Sequence, residues 1–264
     1  MPGSTTVPRL RTVFCSSGGI AGAVVLERLA ACERLEICAV VRSTRVLRPQ
    51  YGFLRGALAQ IRASGIAYSL YLFAATTLAD WMRARRGRAV PAVSRPGLPV
   101  LATRDLNDAV GLKFLRDAAP DLLVSAFFNQ RVHAPALAVP RVGCLNIHPS
   151  LLPAAKGVDP VFQCLLHGRP RIGVTVHEMT PELDAGSILA QSPVTIPEAA
   201  SVLAATELVF AAGAALLVER IPALVAGERG QPQTEAGDYQ SWPTPAQVSE
   251  LKRRGVALWR WGDL

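Results

Sequence analysis

Thr12-Val13-Phe14-Cys15-Ser16-Ser17-Gly18-Gly19-Ile20-Ala21-Gly22-Ala23 opens the part of the chain that decides the fold. Residues 12–16 have the apolar, β-branched and aromatic make-up of a buried strand. Ser16-Ser17-Gly18-Gly19 reads as a turn, residues 20–31 as a helix and residues 35–41 as a second strand. Strand, tight turn, helix and strand in that order predict an α/β fold with a mostly parallel, Rossmann-like sheet flanked by helices. Gly18, Gly19 and Gly22 do not form the GxGxxG pattern. The second strand leads into Arg42-Ser43-Thr44-Arg45, with no acid to bind a ribose. Both facts argue against a nicotinamide dinucleotide and hence against an oxidoreductase. Gly18 and Gly19 at the helix N-terminus, with Arg42, instead suit a phosphate group. A tight turn with surface arginines is the alternative.

Further along, residues 98–102 read as a third strand. Thr103 is a plausible N-cap for a helix ending near Ala118, and residues 122–128 form another buried strand. The chemistry concentrates in residues 143–191. Gly143-Cys144-Leu145-Asn146-Ile147-His148-Pro149-Ser150-Leu151-Leu152-Pro153 is followed by Gly173-Val174-Thr175-Val176-His177-Glu178 and Leu183-Asp184-Ala185-Gly186-Ser187-Ile188-Leu189-Ala190-Gln191. Alternation along a strand puts Asn146 and His148 on one face. Asp184 lies in a turn between two strand-like runs, 172–178 and 187–196, which can return its carboxylate to the imidazole. An amide, an imidazole and a carboxylate suit acyl-type transfer, because Asn146 and a protonated His148 can donate to a developing oxyanion. No Ser or Cys sits in a nucleophile elbow, so no covalent acyl-enzyme is indicated.

Asn146-Ile147-His148-Pro149-Ser150-Leu151-Leu152-Pro153, Gly173-Val174-Thr175-Val176-His177 and Leu183-Asp184-Ala185-Gly186 resemble the folate-dependent formyltransferases. These include enzymes acting on methionyl-tRNA, glycinamide ribonucleotide and amino sugars. The resemblance is densest from Leu98 to Gln191. It implies Asn146, His148 and Asp184 as the catalytic residues and 10-formyltetrahydrofolate as co-substrate. It also implies a pterin pocket at the strand end and the following loop, where Phe128, Gln130, Arg131 and Val132 stand, with Leu183 beside the catalytic turn. Lys156 stands where relatives often carry an aromatic residue or Arg before the glycine, which leaves the acceptor open.

The chain has 264 residues, a formal charge of +8 and 50% hydrophobic residues, enough for one large or two small domains. The charge suits an anionic partner such as a polyglutamylated folate, a nucleotide, a phosphorylated acceptor or RNA, or else serves solubility. Five cysteines without a CxxC or Cys/His cluster read as reduced thiols in a cytoplasmic protein, with no metal site. The beginning of the chain lacks an export pattern. We expect a catalytic domain over residues 1–226, with a helical insertion at 46–97, and a C-terminal extension over 227–264 with one short helix. Residues 51–64 read as a helix. The apolar run 65–82, closed by arginines, reads first as an insertion helix packed on the domain or at a homodimer interface. Its second reading is a segment facing a membrane or a greasy acceptor. Residues 201–226 read as a long helix that Pro222 kinks or ends. Residues 227–238 read as a polar linker, and Thr244-Pro245-Ala246-Gln247 has the form of a capping box that starts the short helix. The extension is too short for the barrel that follows the catalytic domain of methionyl-tRNA formyltransferase, so the expected acceptor is a small-molecule amine rather than tRNA. A 10-formyltetrahydrofolate hydrolase and a catalytically silent folate- or partner-binding member are the rival readings.

Overall fold

The computed structural model describes residues 9–46, 50–86, 97–168, 172–235 and 237–264. Its first strand, β1 (Leu10–Ser16), leads into helix α1 (Gly19–Ala30) and strand β2 (Leu35–Ser43), the predicted opening unit. After an insertion come β3 (Val100–Thr103), α4 (Ala109–Ala118), β4 (Leu122–Ala126), α5 (Ala134–Leu137) and β5 (Gly143–His148). The insertion carries α2 (Phe53–Phe73), a π-helical turn (Ala74–Leu78) and α3 (Ala79–Arg85). Beyond β5 lie β6 (Lys156–Gly157), α6 (Pro160–Leu166), β7 (Ile172–Glu178), β8 (Ile188–Val194), α7 (Val202–Val225), β9 (Tyr239–Gln240) and α8 (Pro245–Arg253).

Among the described residues, seven strands form one sheet in the order β3-β2-β1-β4-β5-β7-β8. The pairs from β3 through β5 are parallel, whereas β7 runs antiparallel to both β5 and β8. This is the predicted mostly parallel, Rossmann-like sheet. The two faces have separate cores. Phe14, Val124, Leu145, Ile147 and Val174 face the side covered by α1 and α7, while Val13, Cys15, Leu123 and Cys144 face the side of α4 and α5. Strand alternation thus sends Leu145 and Ile147 one way and Cys144, Asn146 and His148 the other. Each fully buried Leu, Val or Phe contributes roughly 1.5–3 kcal/mol through removal from water.

Helix α7 is long and apolar enough to cross a membrane by length and composition, but here it lies on the sheet with Val209, Phe210, Leu217 and Ile221 buried. Gly213 permits this close approach, since a Cβ there would stand 2.4 Å from Ile147 Cγ2 and 2.6 Å from Val174 Cγ2. That contact presses α7 directly beneath β5.

Four expectations need correction. Helix α4 begins at Asp108, whose side chain accepts from Gly111 N–H, and not at Thr103. Thr103 instead closes a local turn by accepting from Asp105 N–H. Pro222 does not end α7, which continues to Val225, only one turn further, so a single lost ladder bond is tolerated. The helix expected over residues 51–64 runs on through a non-helical Gly65 (φ 81°) into the apolar run. The strand expected over 122–128 ends at Ala126, because Phe127 turns into the left-handed region at φ 50°.

The extension closes onto the same body. Thr244 and Gln247 form the expected capping box at the start of α8. Trp242 packs on the main core, and the N–H groups of Val202 and Leu203 donate to the carbonyls of Ala257 and Leu258.

Candidate active site

Parallel register brings Ser125 of β4 beside Asn146 of β5, and the antiparallel register of β7 brings His177 to its other side. Paired residues share a face, so these three side chains form a polar row across the strand ends. Ser125 Oγ donates to Asn146 Oδ1 at 2.5 Å, and Asn146 Nδ2 lies 3.1 Å from His177 Nε2. His177 Nδ1 lies 2.8 Å from Glu178 O, which only an N–H can satisfy. Burial, reinforced by the neighbouring His148, lowers the His177 pKa to about 4, against a smaller opposing pull from Asp184. The ring is therefore neutral near pH 7, with the proton on Nδ1 and a lone pair on Nε2 that accepts from Asn146. This network assigns the amide. One N–H of Asn146 goes to His177, and the other has no partner among the described residues.

His148 is 4% exposed. Its Nε2 lies 3.0 Å from Ala155 O and its Nδ1 3.4 Å from Asp184 Oδ1. Both ring nitrogens face oxygen acceptors, so an imidazolium satisfies both and a neutral ring leaves one without a donor. Asp184 sits at φ 53°, in the left-handed region, which turns its carboxylate back under the strand ends. Its Oδ2 accepts from Gly157 N–H at 3.0 Å, and its Oδ1 stands 3.9 Å from His177 Nε2. The structure thus gathers Asn146, His148 and Asp184, as expected from their order in the chain. Of the two oxyanion donors expected, Asn146 has an uncommitted N–H, whereas the donor at His148 Nε2 is engaged by Ala155.

Supporting residues came from places the sequence did not mark. Gln233 of the extension donates through Nε2 to the carbonyls of Asp184 and Gly186, at 2.9 and 2.8 Å, and so fastens the turn. Strand β9 pairs with β6, placing Tyr239 near Asp184, whose charge adds to burial in raising the phenol pKa while Arg131 opposes it. The signals in the sequence were the turn glycines and polar residues of 227–238, read simply as a linker.

The residues expected around a pterin divide. Gln130 is buried and fully engaged, with Oε1 accepting from Leu106 N–H and Nε2 donating to Ser43 Oγ and Thr103 O. Val132 is 2% exposed inside the smaller core, and Phe128 packs against that core. These three hold β2, β3 and β4 together and offer little to a ligand beyond the exposed edge of Phe128. Arg131 and Leu183 are exposed near the site.

The structure brings Gly18, Gly19 and Arg42 together, but the anion they meet is internal. Asp80 of α3 accepts from Gly19 N–H through Oδ1 at 2.9 Å, and its Oδ2 pairs with Arg42. Gly18 N–H is turned to Ser16 Oγ. Gly19 also admits the insertion, since a Cβ there would meet Ala75 O of the π turn at 2.1 Å. A carboxylate at the positive end of α1 is favourable for the same reason a phosphate would be. The expected phosphate seat is therefore taken. Removing the carboxylate in Asp80→Ala should open it. The variant, and not the wild type, is expected to gain several degrees in Tm on adding millimolar inorganic phosphate. An equal phosphate response in both proteins would show that Asp80 closes nothing.

His177 makes the native state pH-sensitive in a definite direction. Its folded pKa of about 4 lies below the unfolded value near 6.5, so between these limits the unfolded chain binds the extra proton. Stability is thus full above about pH 6.5 and falls as the pH drops, on the order of 2 kcal/mol between pH 7 and pH 5. Urea unfolding at both pH values should show this loss, and His177→Asn should remove most of it.

A concavity of about 620 Å³ opens at the opposite ends of the strands, lined by Arg11, Arg116, Asp121 and Arg141. Asp121 there already pairs with Arg141 and accepts from Arg11 N–H, so its charges hold the strand starts together. Among the described residues no group of three or more His, Cys, Asp or Glu is placed to hold a metal.

The sheet order sets the fold class, and comparison with known proteins gives the family. The model of the formyl transferase family matches residues 77–221, and the chain belongs to that family. A methionyl-tRNA formyltransferase of Chloroflexus aggregans is 37% identical over 175 residues, 62% of this chain and 57% of that protein. The chain spans about half the length of the curated relatives it matches, for example 44% of the corresponding Roseiflexus castenholzii protein. In fold it is similar to a sugar N-formyltransferase from a Shewanella species, with a TM-score of 0.55 at 19% identity over 88% of this chain and 76% of that one. Glycinamide ribonucleotide transformylase 1 of Symbiobacterium toebii gives a TM-score of 0.55 at 22% identity, over 85% of this chain and 94% of that one.

Proposed function

We propose that the protein transfers a formyl group from 10-formyltetrahydrofolate to a primary amine of a small-molecule acceptor, in the cytoplasm and without a metal. The observation that carries this reading is the uncommitted N–H of Asn146, aimed from the end of β5 beside the His148–Asp184 pair. Membership of the formyl transferase family supports the reaction class.

In the proposed reaction the neutral amine attacks the formyl carbon, and a new N–C bond forms. Asn146 donates its remaining N–H to the oxygen that becomes negative. His148 supplies positive charge beside it, and can exchange the Ala155 carbonyl for the substrate oxygen. Asp184 holds the imidazolium and receives the proton that the attacking amine sheds. The bond from the formyl carbon to the folate nitrogen then breaks as that nitrogen takes the proton. Arg131, Leu183 and the edge of Phe128 are the proposed contacts of the pterin.

An amino sugar on a nucleotide, or another biosynthetic amine, is the favoured acceptor. The seating of Asp80 supports an acceptor gripped somewhere other than the N-terminus of α1. The test is incubation with 10-formyltetrahydrofolate and a panel of amines, including amino sugar nucleotides, glycinamide ribonucleotide and methionyl-tRNA, with N-formyl products identified by mass. Formylation of a small amine is the expected result. Formate release with no amine present would make the protein a hydrolase, and formylation of the tRNA alone would overturn the small-acceptor reading.

A further inference from the structure

The first half of α2 is built inside out. Its inward face is Gly56, Gln60 and Ser64, with Gln60 Nε2 donating to Ser64 Oγ at 3.0 Å. Its outward face carries Leu54, Leu58 and Ile61, exposed by 82%, 48% and 38%. An amphipathic helix whose outer side meets only water has the opposite arrangement. Beyond the break at Gly65 the exposed stripe resumes at Ile66, Leu70 and Phe73, at helical spacing, while Tyr68 and Tyr71 turn inward and are buried. Trp81 of α3 extends the stripe at 51% exposure. Isolated apolar residues on a surface need no explanation, but these seven large ones, exposed along two neighbouring helices, mark a contact surface.

The charges around the stripe point to its occupant. Among the described residues of α2, the π turn and α3, Asp80 is the single acid, and it is turned inward onto Gly19 and Arg42. Arg55 and Arg62 are exposed beside the stripe, and the Arg85 guanidinium lies 4.1 Å from the Trp81 ring centroid. The whole chain carries +8. A second copy related by a two-fold axis would bring the same arginines to this face, with no exposed acid on α2, the π turn or α3 to meet them. An anionic lipid surface takes both parts, with the apolar side chains entering the acyl boundary and the arginines at the headgroups.

We propose that the outer face of α2 and α3 docks this protein on an anionic lipid surface. The inference rests on the inverted helix and the one-signed charge, and is independent of the reaction. It extends the sequence's membrane-facing alternative, read on residues 65–82, back to residue 54 in the first half of α2.

Co-sedimentation of the full chain with vesicles tests it. Binding to phosphatidylcholine vesicles containing phosphatidylglycerol is expected to exceed binding to pure phosphatidylcholine by about ten-fold or more, and to weaken with salt. A Leu54→Ser/Leu58→Ser variant, which changes no charge and touches no core residue, should lose about ten-fold of that binding. An Arg55→Glu/Arg62→Glu variant should lose a similar amount. Absence of binding by the wild type overturns the proposal. So does binding that the serine variant leaves intact, since net charge alone would then explain it. A stable dimer in ultracentrifugation that Leu58→Asp dissociates also overturns it, by giving the stripe to a second copy.

Discussion

Asn146→Ala is expected to lower kcat about 10²- to 10³-fold, the loss that follows removal of one preorganised oxyanion donor. The amide is held at both ends, by Ser125 Oγ on its oxygen and His177 Nε2 on its nitrogen. Its remaining N–H therefore needs no reorganisation when charge develops on the substrate. The substitution also leaves Ser125 without an acceptor and His177 without a donor, which costs about 1–3 kcal/mol of stability. Circular dichroism melting separates the two effects, since kcat is read well below the shifted Tm. Ser125→Ala keeps the amide but frees it to rotate. A smaller loss of about ten-fold, with KM for the folate little changed, would identify Ser125 as a positioning residue.

Asp184→Asn is expected to lower kcat at least about 10²-fold while the protein stays folded. Asn tolerates the left-handed backbone that Asp184 adopts at φ 53°, so the turn survives where most other side chains would be strained. Its amide cannot serve all the neighbours. Gly157 N–H and His148 both present donors to the carboxylate, and an –NH₂ group facing either one loses that bond. In the proposed reaction the negative charge beside His148 and the base that receives the amine proton disappear together. Raising the amine concentration should not restore the rate, because the defect lies in proton handling and charge. A variant with wild-type kcat would remove Asp184 from the reaction.

The parts of this picture that lie close together in sequence were readable there. β1, α1 and β2 follow from runs of strand and helix formers separated by Ser17-Gly18-Gly19, and the shared face of Asn146 and His148 follows from strand alternation alone. The capping box at Thr244 is likewise local. What the sequence hid depends on distant pairings. Asp80 reaches Gly19 and Arg42 across the insertion, so a seat that reads as open for phosphate is closed by a residue some sixty positions away. Gln130 looks like a loop residue free to bind a ligand, but its amide ties β2 to the β3 end. His177 reads as one more polar strand residue until register sets it against Asn146. The inverted face of α2 was equally hidden, because a helical pattern does not say which side the rest of the fold will cover.

The most direct test of the central claim is to mix purified protein with 10-formyltetrahydrofolate and follow tetrahydrofolate release by absorbance, with and without the amine panel, for wild type and Asn146→Ala side by side. Amine-dependent release by the wild type, reduced at least about 10²-fold in the folded variant, is the predicted result. Equal rates in the two proteins, or no detectable folate binding by the wild type, would contradict the assignment of this site.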